Sequence, residues 1–241
     1  MFFKKRYLYI VTESLGPDLY NGIIRHKRKV SLKEIQTIIR DVVKSLLFLK
    51  KCGIVHCDLK PENILIKNET TLNIKIIDFG SASFLDGQDY DYLQTRPYRA
   101  PEIVFGCDFD FSADIWSLGC IIYEVMSSNV LFKYKTAQEN FTKALAINNS
   151  VNFKFFTDGK KAKKYFGQNG LLTINESKVT EKGFIKTILP KEGIDFRSEL
   201  INVFSSLELS DFTRKCLILD PAKRLKIEEA IEHPFLKLNL K

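Results

Sequence analysis

His56-Cys57-Asp58-Leu59-Lys60-Pro61-Glu62-Asn63 sets a carboxylate, an ammonium and a carboxamide at offsets of 0, 2 and 5. Each group answers a need of phosphoryl transfer. The carboxylate can accept a hydroxyl proton, the ammonium can neutralise charge on the moving group, and the amide oxygen can hold a magnesium ion. Asp58, Lys60 and Asn63 fit those roles in that order. The bland alternative for this octapeptide is a polar surface loop built on an Asx turn. The stretches on either side weigh against it.

Downstream, Ile74-Lys75-Ile76-Ile77 reads as a short strand ending in Asp78-Phe79-Gly80. A carboxylate on a tight turn there can reach a magnesium ion bridging phosphates. Arg99-Ala100-Pro101-Glu102 closes the segment that follows. Each motif alone is weak, but three in this order at compatible spacings resemble a protein kinase.

Upstream, Tyr7 to Thr12 reads as an apolar strand broken by Glu13-Ser14-Leu15-Gly16-Pro17. In a kinase these are the last strand of the small lobe and the hinge. The resemblance then implies backbone groups of Glu13 and Leu15 facing an adenine edge, Thr12 gating the pocket behind, Asp18 on the ribose and Leu65 as the floor of the nucleotide. Read from its residue type alone, Asp18 is a cap for the helical stretch after it. Ser31-Leu32-Lys33-Glu34 is a capping box, and Ile35, Ile38, Ile39, Val42, Val43, Leu46 and Leu49 follow at helical spacing, with Gly53 as the stop. Ile64-Leu65-Ile66 and Lys75 to Ile77 are expected to pair as a hairpin across Asn68 to Asn73. Ser112 is expected to cap a helix that is apolar on nearly all sides, and Asp114, near its start, to tie down catalytic-loop amides as in kinases. Leu207 to Leu219 and Ile227 to His233 read as further helices. Arg224 resembles the arginine that pairs with the glutamate of Ala-Pro-Glu, here Glu102.

The 241 residues are 45% hydrophobic, enough for one well-buried domain. No stretch approaches the roughly 18 consecutive apolar residues of a membrane-spanning helix. The N-terminus lacks the long apolar region and cleavage site of a signal peptide, so an intracellular setting, nucleus or cytoplasm, is expected. Five cysteines without Cys-x-x-Cys spacing argue against a disulfide framework or a zinc site. The net charge is +8, with its densest run at Lys160-Lys161-Ala162-Lys163-Lys164. Aromatics do not interleave with the bases there, so nucleic-acid binding is not expected.

The longer stretches narrow the resemblance. His56 to Leu65, Ile76-Ile77-Asp78-Phe79-Gly80-Ser81-Ala82 and Tyr90-Asp91-Tyr92-Leu93-Gln94-Thr95-Arg96-Pro97-Tyr98-Arg99-Ala100-Pro101-Glu102 resemble the dual-specificity tyrosine-regulated kinases of the CMGC group. Homeodomain-interacting and CDC-like kinases are near relatives. Cys57 stands where most kinases place an arginine. The resemblance implies an ATP- and magnesium-dependent serine/threonine-protein kinase. Asp58 and Lys60 would be catalytic; Glu62, Asn63 and Asp78 would lie at the nucleotide, with Asn63 and Asp78 on the metal. It further implies autophosphorylation at Tyr92, whose phosphate could pair with Arg96 and Arg99. Substrates would be proteins with Ser or Thr, followed by Pro or flanked by Arg.

No Gly-x-Gly-x-x-Gly and no Val-Ala-Ile-Lys-like strand precede Glu13 in this chain. The expected fold is therefore α+β and mainly α-helical: a kinase-like large lobe with the hinge strand, lacking most of the small lobe's sheet and its helix. Residues 1–17 would be that strand and hinge. Residues 18–241 would be the large lobe, with an insert at about 150–195. Two readings follow: part of an active kinase, or a pseudokinase or docking module without appreciable transfer. In either, the strand Tyr7 to Thr12 is expected to be unpaired, exposed and open to a partner.

Overall fold

Ser31 starts the longest helix for a local reason. Its Oγ accepts from the Glu34 amide at 3.2 Å, and Glu34 Oε2 accepts from the Ser31 amide at 2.8 Å, the reciprocal cap expected from sequence. α1 (Leu32–Lys51) turns Ile35, Ile38, Ile39, Val42, Val43 and Leu46 into the core, and each such side chain contributes roughly 1.5–3 kcal/mol on burial. Gly53, at φ 72°, makes the left-handed turn that ends it. The computed structural model describes residues 1–85, 93–133, 136–148, 153–167 and 196–240.

β3 (Ile54–Val55) follows α1 and pairs antiparallel with β6 (Ser83–Phe84). β4 (Ile64–Asn68) and β5 (Asn73–Ile76) form the expected hairpin, with Ile64 opposite Ile76, Leu65 opposite Lys75 and Ile66 opposite Ile74. Asn68 Oδ1 accepts from the amides of Thr70 and Thr71, which closes the turn. α1 packs across β5, α3 (Ser112–Ser127) and α8 (Ile227–Glu232).

α3 is buried from Ser112 to Val125, as its all-round apolar pattern predicts. Its start differs from expectation. Ser112 lies inside the first turn, its Oγ is buried without a partner, and Asp110 Oδ1 accepts from the Ser112 amide at 2.8 Å instead. The cap position falls one residue earlier, on Phe111, whose side chain makes no capping hydrogen bond.

The N-terminal strand also differs. It runs over Tyr7–Tyr9 as β2 and is paired with β1 (Phe2–Lys4), Phe3 opposite Leu8. Lys5 and Arg6, at φ 48° and 70°, form the left-handed two-residue turn that suits hairpin twist. Exposure of the apolar face is as expected: Tyr7, Ile10 and Val11 are 69%, 69% and 73% exposed.

The remaining α-helices among the described residues are α2 (Pro101–Phe105), α4 (Ala137–Ile147), α5 (Phe153–Thr157), α6 (Phe196–Phe204), α7 (Leu207–Cys216), α8 and α9 (Pro234–Lys237). α7 stops at Cys216, short of the expected Leu219. Pro234 ends α8 as expected and also opens α9, because a proline's missing N–H costs nothing at a first helical position. Of the expected insert, residues 153–167 are described. Phe156, Tyr165 and Phe166 surround Phe105 with ring centroids 5.0 to 5.5 Å away. Residues 149–152 and 168–195 lie outside the described residues. All five cysteines are unpaired, and no helix among the described residues is long and apolar enough to cross a membrane.

Candidate active site

Two strand pairs clamp the two loops that carry the candidate catalytic residues. β3 leads into His56, and β6 takes up the chain after the Asp78 turn. On the other side, β4 begins after Asn63 and β5 ends before Ile77, whose amide donates to Asn63 O at 3.0 Å. The loops starting at His56 and Asp78 therefore run side by side. His56 joins them directly: its Nε2 meets Ile77 O at 3.0 Å, its Nδ1 accepts from the Asp58 amide at 3.2 Å, and its ring stands edge-on to Phe79.

Asp114 supports this loop from beneath, as expected. Its two oxygens accept from the amides of His56 at 2.8 Å and Cys57 at 3.1 Å. Cys57 sits at φ 61°, a conformation costly for a residue with a Cβ, and the buried carboxylate holds it there. Burial pushes the Asp114 carboxyl up, against the pull of His56 and the two amides. Burial likewise pushes the Cys57 thiol well up, so it packs as a small apolar group.

Asp58 is the centre of the site. Its Oδ2 accepts from Lys60 Nζ at 2.8 Å, and its Oδ1 accepts from the Thr95 hydroxyl at 2.7 Å and the Thr95 amide at 3.0 Å. Lys60 Nζ also reaches Thr95 Oγ1 at 3.3 Å. Burial raises this carboxyl, but the bonds from Lys60 and Thr95 outweigh it and leave it below its ordinary value. It lines an open cleft of about 490 Å³ together with Ser81, Gln94, Thr95, Arg96 and Pro97.

Asn63 is buried, and its Nδ2 donates to Asp58 O at 2.9 Å and to Asp58 Oδ2 at 3.3 Å. With the amide nitrogen so engaged, the oxygen is left as the acceptor end. Asp78 is exposed at φ 62°, with only Oδ1 bonded, to the Gly80 amide at 3.1 Å. The site thus offers an amide oxygen and a carboxylate on adjacent loops, hard donors that suit magnesium, which keeps its other positions for phosphate and water. Among the described residues no group of three or more His, Cys, Asp or Glu side chains could hold a metal ion.

The segment expected to be the hinge lies along β4. The Gly16 amide donates to Ile66 O and the Ile66 amide to Pro17 O, both at 2.9 Å. A Cβ on Gly16 would fall 2.8 Å from Ile66 O, so only glycine permits the approach. Asp18 pairs with Leu65 as an isolated bridge, which places the two candidate nucleotide residues together. The Asp18 carboxylate accepts from the Asn21 amide at 2.8 Å and from Asn21 Nδ2 at 2.7 Å, the capping behaviour read from residue type alone. The Glu13 side chain pairs with Lys75; Leu15 is half-buried and Glu62 exposed.

Tyr92 lies outside the described residues. Arg96 and Arg99 follow in the turn beyond Thr95, where Arg99 grips Gln94 O through Nε at 3.1 Å and Nη2 at 2.5 Å. Glu102 and Arg224 form the expected pair, bidentate at 2.6 and 3.0 Å with both side chains fully buried. Three more carbonyls, of Ile218, Ser112 and Leu219, accept from the same guanidinium.

Sequence reasoning assigned no role to Gln94, Thr95, Tyr98, Ser117 or Glu124. Gln94, at φ 59°, is a buried hub: its Nε2 donates to Ala113 O and Ser117 Oγ, and its Oε1 accepts from the Ala100 amide. Tyr98 donates to Glu124 Oε2 at 2.7 Å. A signal was present. Asp114, Ser117 and Glu124 are polar residues on one side of an otherwise apolar helix, and each proves to hold a loop.

Comparison with known proteins agrees with this geometry. Residues 1–236 match the protein kinase domain. The serine/threonine-protein kinase ppk5 of Schizosaccharomyces pombe is 33% identical over 231 residues, covering 95% of this chain and 27% of that protein. A protein named as a dual specificity tyrosine-phosphorylation-regulated kinase 3 homolog in Drosophila melanogaster is 31% identical, with 96% and 29% covered. The serine/threonine-protein kinase named dyrk2 in Dictyostelium discoideum is 30% identical, with 98% and 25% covered. The chain therefore spans less than a third of the length of these relatives. A crystal structure of a kinase domain superposes with a TM-score of 0.77 at 27% identity, over 92% of this chain and 71% of that one. The match over residues 1–236 is to the domain as a whole and does not single out a large lobe. On that match, with its loops and their supports in place, the chain belongs to the protein kinase family.

Proposed function

We propose that this chain transfers the γ-phosphate of ATP to serine or threonine hydroxyls of protein substrates, within the dual-specificity tyrosine-regulated branch of the CMGC kinases. One observation carries the reading: an ionised Asp58 held between Lys60 and Thr95 at the floor of an open cleft. Asp58 takes the proton of the acceptor hydroxyl, and Lys60 Nζ, beside it, offsets charge on the phosphoryl group. Asn63 and Asp78 hold magnesium, which when bound neutralises phosphate charge. Glu13 and Leu15 present backbone groups to the adenine, Leu65 floors it, and Asp18 shares its carboxylate between Asn21 and a ribose hydroxyl. Glu62, exposed beside the catalytic loop, completes the nucleotide side.

Substrate choice follows from Gln94 and Arg99. Arg99 occupies the Gln94 carbonyl, so that oxygen is not offered to an N–H on the residue after the acceptor. A proline there has no N–H to leave unsatisfied, so Ser-Pro or Thr-Pro is the favoured sequence. Autophosphorylation at Tyr92 belongs to the same reading, with Arg96 and Arg99 at the end of that segment. The division into residues 1–17 as strand and hinge and 18–241 as the large lobe is part of the proposal, as is an intracellular setting.

A docking module without transfer is the second reading, favoured by the exposure of Tyr7, Ile10 and Val11. Transfer from radiolabelled ATP with magnesium to a Ser-Pro peptide separates the two. Incorporation that disappears in Asp58→Asn and Asp78→Asn supports the kinase. A folded chain that transfers no more than its Asp58→Asn variant leaves the docking reading.

A further inference from the structure

Cys57 and Gln94 both stand in the left-handed region, at φ 61° and 59°, and each comes immediately before a residue of the cleft, Asp58 in one case and Thr95 in the other. The Gln94 amide donates to Cys57 O at 3.0 Å, which joins the two turns. Both are also tied to α3. Asp114 accepts from the amides of His56 and Cys57, and the Gln94 side chain donates to Ala113 O at 3.2 Å and to Ser117 Oγ at 3.0 Å. Thr95 then donates through its amide and its hydroxyl to Asp58 Oδ1.

A left-handed backbone is costly for a residue with a Cβ and persists where its surroundings over-determine it. For Cys57 the surroundings are the Asp114 carboxylate. For Gln94 they include its own carboxamide, which is 4% exposed, uses Nε2 twice and accepts from the Ala100 amide at Oε1 at 2.7 Å. Glycine would relieve the backbone cost at this position but could make none of these side-chain bonds. The carboxamide thus spans from α3 to the start of α2. Between those anchors the Gln94 carbonyl meets Arg99, and the next residue meets Asp58.

We propose that Gln94 is a positioning residue for phosphoryl transfer, whose carboxamide sets Thr95 on Asp58 and holds the Gln94 carbonyl on Arg99, away from the residue after the acceptor. The transfer rests on the kinase reading; the hold on Thr95 does not.

Gln94→Gly separates the two contributions, because glycine accepts the left-handed backbone and lacks the carboxamide. Hydrogen exchange followed at single amides should show Thr95 exchanging about tenfold faster or more, with the amides of α1 as protected as before. On peptides, kcat should fall by about the same factor with KM for ATP unchanged. The preference for Ser-Pro over Ser-Ala should shrink about tenfold or more, as the freed carbonyl accepts from the alanine N–H. Should Gln94→Gly not fold, Ser117→Ala, which takes one acceptor from the carboxamide, is expected to move the same readouts in the same direction by roughly threefold. Unchanged Thr95 exchange or an unchanged Ser-Pro preference overturns the role of Gln94. So does a loss of protection in α1 equal to that at Thr95, which would make the carboxamide a support of the whole fold. Absence of transfer by the unaltered chain overturns the kinase reading instead, and Thr95 exchange still decides whether the carboxamide holds that residue.

Discussion

Thr95 touches both halves of the charged pair in the cleft, donating to Asp58 and accepting from Lys60. Thr95→Val removes that hydroxyl without changing shape and leaves the Asp58 Oδ1 bond to the Thr95 amide alone. Steady-state kinetics on a Ser-Pro peptide should show kcat reduced roughly tenfold or more, from about 1–3 kcal/mol of lost hydrogen bonding. Thr95→Ser should restore most of it. A second single-residue effect lies far from the cleft. Asp211 is raised by burial but lowered further by Lys215, Arg214 and His233, to about 2. Its folded value lies below the roughly 3.9 of an unfolded aspartate, so its contribution is complete above that value. It is lost as pH falls toward 2. Asp211→Asn should flatten the fall in melting temperature across that window and leave the rest of the profile in place.

At the scale of elements, α1 and α3 show two ways a serine can relate to a helix start. Ser31 closes a complete capping box, and Ser31→Ala should cost about 1 kcal/mol in urea unfolding. Ser112 has the same residue type at the same kind of boundary, but its hydroxyl is buried and unpartnered. Ser112→Ala should therefore be neutral or stabilising, since it removes an unsatisfied group. A cost like that of Ser31→Ala would restore the capping role expected from sequence. α3 also organises the site through one polar stripe. Asp114 holds the loop of His56 and Cys57, Ser117 holds Gln94, and Glu124 holds Tyr98. The hold of Asp114 on the His56–Cys57 loop was expected from the kinase resemblance, but the partners of Ser117 and Glu124 were not, because they lie 19 to 26 residues away in sequence.

Across the whole molecule, the Glu102–Arg224 pair ties the end of the substrate loop to the C-terminal helices, 122 residues apart. Arg224→Met leaves Glu102 charged, buried and alone, which should cost about 3–5 kcal/mol in chemical denaturation. Adding Glu102→Gln should recover part of that loss, because the uncompensated charge is gone. By itself, the sequence determined the candidate catalytic groups and the local elements that present them. Asp58, Lys60, Asn63 and Asp78 occupy short motifs, and α1, its glycine stop and the β4–β5 hairpin follow from patterns within about twenty residues. The pairing of Glu102 with Arg224 was also expected, through the resemblance to kinases. Tertiary structure alone decided the placement of Thr95 against Asp58, the buried position of Gln94, the failure of Ser112 to cap and the pairing of β2 with β1. Those features depend on which side chains meet across distant segments, and the free energy of such contacts is set by packing and burial that no local pattern encodes.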